Sequence, residues 1–266
     1  MCAVMLLASH HATATGQSLR DGFEVASIRA NPSGTGVRGH SFPGNRFEAR
    51  NVPLADLILV AYGDPGQLLP PARMSGGPSW INTDRFDVSA ALGSNATSTV
   101  SEKQRRLRGL LAERFKLKVH TELIDRPMYE IELSRSNGTL GPQLRRAEAT
   151  CEPLVAAQPG KRDGCVLSAT PSGELMLRGQ TMGALANALT ILLGREVRDR
   201  TGLTDGFDAD ARFNPSGLPG MSHPAALDET PSLFSALENQ LGLKLATTRG
   251  RVEVLVVDAA EHPTEN

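Results

Sequence analysis

Arg85-Phe86-Asp87-Val88-Ser89-Ala90 and Gly206-Phe207-Asp208-Ala209-Asp210-Ala211 read as one short strand written twice. Each has an aromatic residue, an acid, and then apolar and polar residues in alternation, the period-2 signature of a half-buried strand. The surroundings match as well. Upstream of the first lie a strand around Phe47 and Ala49 and a helix with Leu54, Leu57, Ile58 and Ala61. Upstream of the second lie Leu175 and Leu177, then a helix with Met182, Leu185 and Leu189. Downstream, Phe115-Lys-Leu-Lys-Val119 answers to Leu241-Gly-Leu-Lys-Leu245, each ending a helix and starting a strand. Residues 47–133 and 175–257 therefore read as two tandem repeats of a small strand-helix-strand-helix-strand unit, an α+β fold.

Local punctuation sets the expected boundaries. Asn51 is placed as the N-cap of the first helix, with Pro53 in its first turn and Gly63 and Pro65 as its stop. Ser101 is placed as the cap of the second helix, whose apolar positions are Leu107, Leu110, Leu111 and Phe115. Two strands, Leu117–His120 and Tyr129–Leu133, follow around a turn at Asp125-Arg-Pro127. In the second repeat a helix runs from Met182 to Leu193 and ends at Gly194. Ser232 caps another through Leu241, with Gly242 as a left-handed C′ residue. Strands at Lys244–Thr247 and Val252–Asp258 close the fold. The expected organisation is a leader at 1–16 and a first repeat with its N-terminal strand at 17–135. A bridging segment at 136–173, a second repeat at 174–258 and a polar tail at 259–266 follow.

Composition narrows the function classes. The chain has 266 residues, 40% hydrophobic and 21% charged, enough for a full core. Aromatics are 4% and the net charge is −1, which argues against nucleic acid as a partner, since those surfaces use basic excess and aromatic platforms. Cys2-Ala-Val-Met-Leu-Leu-Ala8 followed by Ala12-Thr-Ala14 resembles the end of a secretory signal. Its short core and missing basic n-region are consistent with a start upstream of Met1. No other segment approaches the ~20 apolar residues of a membrane helix, so no transmembrane segment is expected in the mature chain. Cys151 and Cys165 then remain as a pair. In an exported protein they read as a disulfide closing a loop of about 15 residues. A metal site there would need His or further Cys, and none lies between residues 121 and 222.

Catalytic signatures are weak. Gly34-Thr-Gly36-Val-Arg-Gly39 matches the dinucleotide fingerprint but runs into His40-Ser-Phe-Pro-Gly-Asn45, which cannot be the required helix. No Gly-x-Ser-x-Gly elbow occurs, and Ser79 lies in Gly-Pro-Ser-Trp without an elbow helix. The histidines show no zinc-binding spacing, and His120 reads as a surface residue on a strand. Asp87 and Asp208 occupy matching positions. They could form an acid/base dyad, but duplication more readily preserves structural punctuation, with each Asp bonding nearby backbone N–H groups. Asp199, Arg200 and Asp205 read as a turn network, and Arg105, Arg106 and Arg108 as a solvated helix face.

Several ordered segments carry a resemblance. They are Phe23-Glu-Val-Ala-Ser-Ile28, Leu57-Ile-Leu-Val-Ala-Tyr62, Gly77-Pro-Ser-Trp80, Arg85-Phe-Asp87 and Leu110-Leu-Ala-Glu-Arg-Phe-Lys-Leu117. Asp199-Arg-Thr-Gly-Leu203, Gln240-Leu-Gly-Leu-Lys-Leu245 and Pro263-Thr-Glu-Asn266 complete the set. Together they resemble a large paralogous family of exported soil-bacterial proteins defined by a domain of unknown function. That resemblance implies export and brings no catalytic residues with it. Asn51-Val-Pro-Leu-Ala-Asp-Leu-Ile58 and Thr181-Met-Gly-Ala-Leu-Ala-Asn-Ala188 are also similar to the N-terminal docking modules of secretins and TonB-dependent receptors, an analogy of fold alone.

The expected function is a non-catalytic, exported protein that binds another cell-envelope protein through a strand edge. No catalytic, cofactor or metal residues are assigned. The alternatives are a periplasmic hydrolase using Asp87, Asp208 or His120 between the repeats, and a small-ligand carrier with an apolar cleft there.

Overall fold

In the computed structural model, residues 22–34, 36–64, 68–92, 98–151, 165–216, 218 and 230–263 are described. The expected leader with Cys2 lies outside them. The described chain begins with strands β1 (Val25–Ala30), β2 (Gly39–Ser41) and β3 (Arg46–Pro53) and helix α1 (Leu54–Tyr62). Then come β4 (Met74–Gly76), β5 (Arg85–Ala91), α2 (Val100–Arg114) and β6 (Lys118–Leu133). It continues with β7 (Leu144–Arg146), β8 (Val166–Ala169), β9 (Glu174–Gln180), α3 (Met182–Leu193) and β10 (Val197–Asp199). β11 (Phe207–Arg212) precedes α4 (Leu233–Ala236), which runs into a π turn (Leu237–Leu241), and β12 (Leu243–Ala259) ends the fold. Helices and sheets are both present, as an α+β reading requires.

Among the described residues these strands form three four-stranded sheets, with orders β1-β5-β3-β2, β10-β6-β12-β4 and β7-β11-β9-β8. The alternation read from Arg85–Ala90 places β5 inside the first sheet, with Phe86, Val88 and Ala90 all buried beneath it. Phe207, Ala209 and Ala211 do the same for β11 in another sheet. Phe86 meets Phe115 edge-on at 5.1 Å, so the strand and the end of α2 share one core. α1 lies on that core with Leu54, Leu57, Ile58 and Ala61 buried; α3 buries Met182, Leu185 and Leu189 in a second cluster. A smaller cluster of Met128, Val252 and Val254 lies between them on the middle sheet.

Several boundaries differ from those expected. Asn51 does not cap α1; the N-cap is Pro53, without a side-chain hydrogen bond. Asn51 sits instead in a bulge of β3 at φ 52°, a left-handed conformation that Asn tolerates better than most residues. Its Nδ2 donates to the carbonyls of Gly34 (2.8 Å) and Gly36 (2.9 Å), so the glycine loop is a backbone ligand for Asn51. Ser101 does not cap α2 either. Thr99 does, in a reciprocal box with Glu102. Two of the three arginines read as solvated have structural duties: Arg106 donates to the Gly22 carbonyl, and Arg108 donates to the Ala61 carbonyl at 2.7 Å and lies over the Tyr62 ring. The tail is not merely polar: the Glu261 N–H donates to the Phe115 carbonyl (2.7 Å) and His262 stacks on Trp80 at 3.9 Å.

The largest difference concerns the expected turns at Asp125-Arg-Pro127 and between Thr247 and Val252. Neither is present. β6 runs unbroken for 16 residues, about 50 Å at the usual strand rise, and pairs antiparallel with β12 along its whole length. Each turn-like residue is accommodated by its partner: Pro127 lies opposite Arg249, and Arg126 lies opposite Gly250 while donating to the Ala72 carbonyl at 2.9 Å.

Candidate functional site

The carboxylates singled out from the sequence are placed on different sheets and committed to their own backbones. Asp87 Oδ1 accepts the Asn51 N–H (2.8 Å) and Asn31 Nδ2 (3.2 Å), holding the bulge of β3. Asp208 Oδ1 accepts the Gly179 N–H (2.9 Å) at a second positive-φ position, φ 65°, next to a register shift between β9 and β11. Its other oxygen lies 3.6 Å from Arg145. Both acids therefore serve backbone groups that would otherwise lack a partner.

His120 stands on the middle sheet with a carboxylate at each ring nitrogen, Asp258 at Nδ1 and Glu122 at Nε2, both 2.9 Å. First Glu122 and then Asp258 stabilise the imidazolium and raise its pKa above the usual histidine value. In the protonated form both ring nitrogens donate, one to each carboxylate. Among the described residues no three His, Cys, Asp or Glu side chains are grouped to hold a metal ion.

Cys151 and Cys165 are joined, with Cα atoms 5.9 Å apart. The bridge sits against Gly179. The Cys151 N–H donates to the Gly179 carbonyl at 2.7 Å, and a Cβ on Gly179 would come within 2.6 Å of Cys151 Sγ. Glycine is required there by both φ and space.

Two concave surfaces stand out. One is a cavity of about 250 Å³ beside Tyr129, Leu193, Leu233 and Phe234, with Asn214 and Ser232 as polar walls. That is below the ~300–1,000 Å³ of ordinary small-ligand sites. The other is a groove of about 560 Å³ between the start of β1 (Gly22 to Ala26) and α2 (Gly109, Leu110, Glu113, Arg114). Among the described residues β1 pairs with β5 alone, which leaves a free side along this groove. Asn31 N–H donates to the Arg85 carbonyl, which fixes the alternation. Residues 25, 27 and 29 turn their backbone groups to β5, and Ala26, Ile28 and Ala30 turn theirs outward. Arg114 Nη2 meets the outward Ala26 carbonyl at 3.2 Å, and Val25 is 66% exposed. Sequence patterning found the strand, but which side of it stays open depends on sheet order.

Among the described residues no helix is long and apolar enough to cross a membrane. The fold and its surfaces define an α+β protein with a disulfide between Cys151 and Cys165. The chain belongs to the family described as Protein of unknown function (DUF3738), whose model matches residues 55–260. No curated protein and no solved structure matches the chain.

Proposed function

We propose that this protein is an exported, non-catalytic docking protein of the cell envelope that receives an extended segment of another envelope protein on the edge of β1 that has no strand partner among the described residues. The open edge and its groove carry the reading. The outward N–H of Ala26 and the outward backbone groups of Ile28 and Ala30 supply hydrogen bonds, and the space under α2 receives alternate side chains, as strand addition requires. Export is supported by the joined cysteines, because disulfides persist in oxidising compartments, and by the leader expected over 1–16.

The reading includes two copies of one unit. β1 to β6 with α1 and α2 match β7 to β12 with α3 and α4 in order, and the outer sheets β1-β5-β3-β2 and β7-β11-β9-β8 match in position. Fine details agree too. Asn51 and Gly179 both have positive φ and donate to an Asp, and Lys116 (φ 48°) and Gly242 (φ 70°) both follow a helix. Chance produces a shared element order more easily than shared strained positions.

Ala26→Pro tests the docking. It removes an outward N–H and leaves the β5 ladder intact, which edge strands tolerate. Expected is loss of the partner captured by wild-type protein from its own envelope, with amide-exchange protection on Ala26 and Ile28 in the wild-type complex alone and a melting temperature within about 3 °C. Equal capture by the folded variant would rule the edge out.

A further inference from the structure

We infer that β6 and β12 are the opened arms of two hairpins exchanged between the two units, so that a second copy of this chain can supply the same strands in a reciprocal dimer. The proposal rests on the two-unit reading and is independent of docking at β1.

Each unit is completed by the other's strand. β4 pairs in parallel with Leu255, Val256 and Val257 of β12, and β10 pairs in parallel with Tyr129, Glu130 and Ile131 of β6. Leu255 and Val257 belong to the first core, and Ile131 belongs to the second. The ribbon register maps onto itself about one residue pair, Asp125 opposite Arg251. Outward from it, Thr121 faces Leu255 on one side and Tyr129 faces Thr247 on the other. The turn signals in the sequence fall at this centre, Asp125-Arg-Pro127 on one strand and Gly250-Arg251 on the other. Folded back there, Tyr129 to Ile131 would come to the position beside β4 that Leu255 to Val257 now fill.

Charge decides which units pair. Arg73 immediately precedes β4, and Glu196 immediately precedes β10, so they are counterparts. They bind each other across the centre through two bonds of 2.7 Å, with Glu196 only 6% exposed. Asp125 and Arg251 are likewise counterparts facing each other. Pairing two first units would set Arg73 against Arg73 and Asp125 against Asp125; two second units would set Glu196 against Glu196. Like charges held opposite in a sheet or buried together are destabilising. A first unit therefore accepts a second unit, from its own chain or another, and two chains close as a two-fold dimer.

The test uses full-length Arg73→Glu and Glu196→Arg chains. Alone, each opposes like charges and its folding equilibrium is expected to fall about 100-fold or more. When the two are mixed and refolded together, the first unit of the Arg73→Glu chain meets the second unit of the Glu196→Arg chain, which restores an acid–base pair with its signs reversed. The remaining units bring the unaltered Arg73 and Glu196 together. The expected product is a 1:1 heterodimer by light scattering, with wild-type-like resistance to denaturant. A single chain carrying both reversals is expected to refold as a stable monomer. If the mixture behaves as the sum of its components, with no heterodimer and no gain in resistance to denaturant, the exchange is refuted.

Discussion

Asp87 and Asp208 show why a carboxylate pair at matching positions is poor evidence for catalysis. Each accepts a backbone N–H at a left-handed bulge position, work that a short acidic side chain does wherever the backbone leaves a strand ladder. The bulge itself is not written the same way twice. Asn51 keeps its side chain to bind the Gly34 and Gly36 carbonyls, whereas Gly179 must have none because Cys151 fills the space. His120 carries the clearest pH dependence. Its folded pKa is raised by Glu122 and Asp258, so its contribution is fully present below the unfolded value of about 6.5 and is lost as pH rises through the folded value. Melting temperature should therefore decline from about pH 6 to about pH 8 in wild-type protein and decline less in His120→Gln. Parallel profiles for the two proteins would show that the pairing contributes nothing in solution.

At the scale of elements, helix ends reveal how local signals compete. Ser101 and Thr99 both suit an N-cap, and Thr99 prevails because Glu102 then stands three residues on and returns the bond to the Thr99 N–H at 2.8 Å. The C-terminus of α1 is closed from outside. Gln104 of α2, 3% exposed, donates Nε2 to the Val60 carbonyl at 2.8 Å and lies 3.3 Å from the Asp64 carbonyl. Helix ends leave carbonyls without intrahelical partners, and a buried one is costly unless another group reaches it. Gln104→Ala is expected to destabilise the protein by about 1–3 kcal/mol, read as a lower urea midpoint at unchanged slope. A midpoint equal to wild type would mean that water replaces the amide. No periodicity argument identified Gln104, because a polar residue inside an amphipathic helix looks solvated until the neighbouring helix is placed.

On the scale of the molecule, one tie is covalent and closes a short loop, and the other is ionic and joins segments far apart in sequence. The Cys151–Cys165 bridge spans 14 positions, and closing such a loop is worth about 3 kcal/mol in the chain-entropy model. Replacing both cysteines with serine should lower stability by about that amount, and peptide mapping of the native protein should find neither thiol free before reduction. Reactive thiols at both positions would overturn the bridge. The Arg73–Glu196 pair joins residues 123 positions apart and sits where the central ribbon crosses between the two cores. Its partners are one Arg and one Glu among many, so no motif announced it.

The sequence alone determined much of what is local: most of the strands and helices, and the apolar faces that bury Phe86, Phe115, Phe207 and Leu241. These follow from side-chain periodicity and short-range spacing, which neighbouring residues settle among themselves. Tertiary structure decided what neighbours cannot. Asp125-Arg-Pro127 is a good turn in isolation, yet β6 passes straight through it, because a partner strand bonds its backbone along the full length and both ends find separate cores. The place of β1 beside β5 and the meeting of Arg73 with Glu196 were decided the same way, by sheet order and crossing geometry, in which every long-range contact depends on all the others.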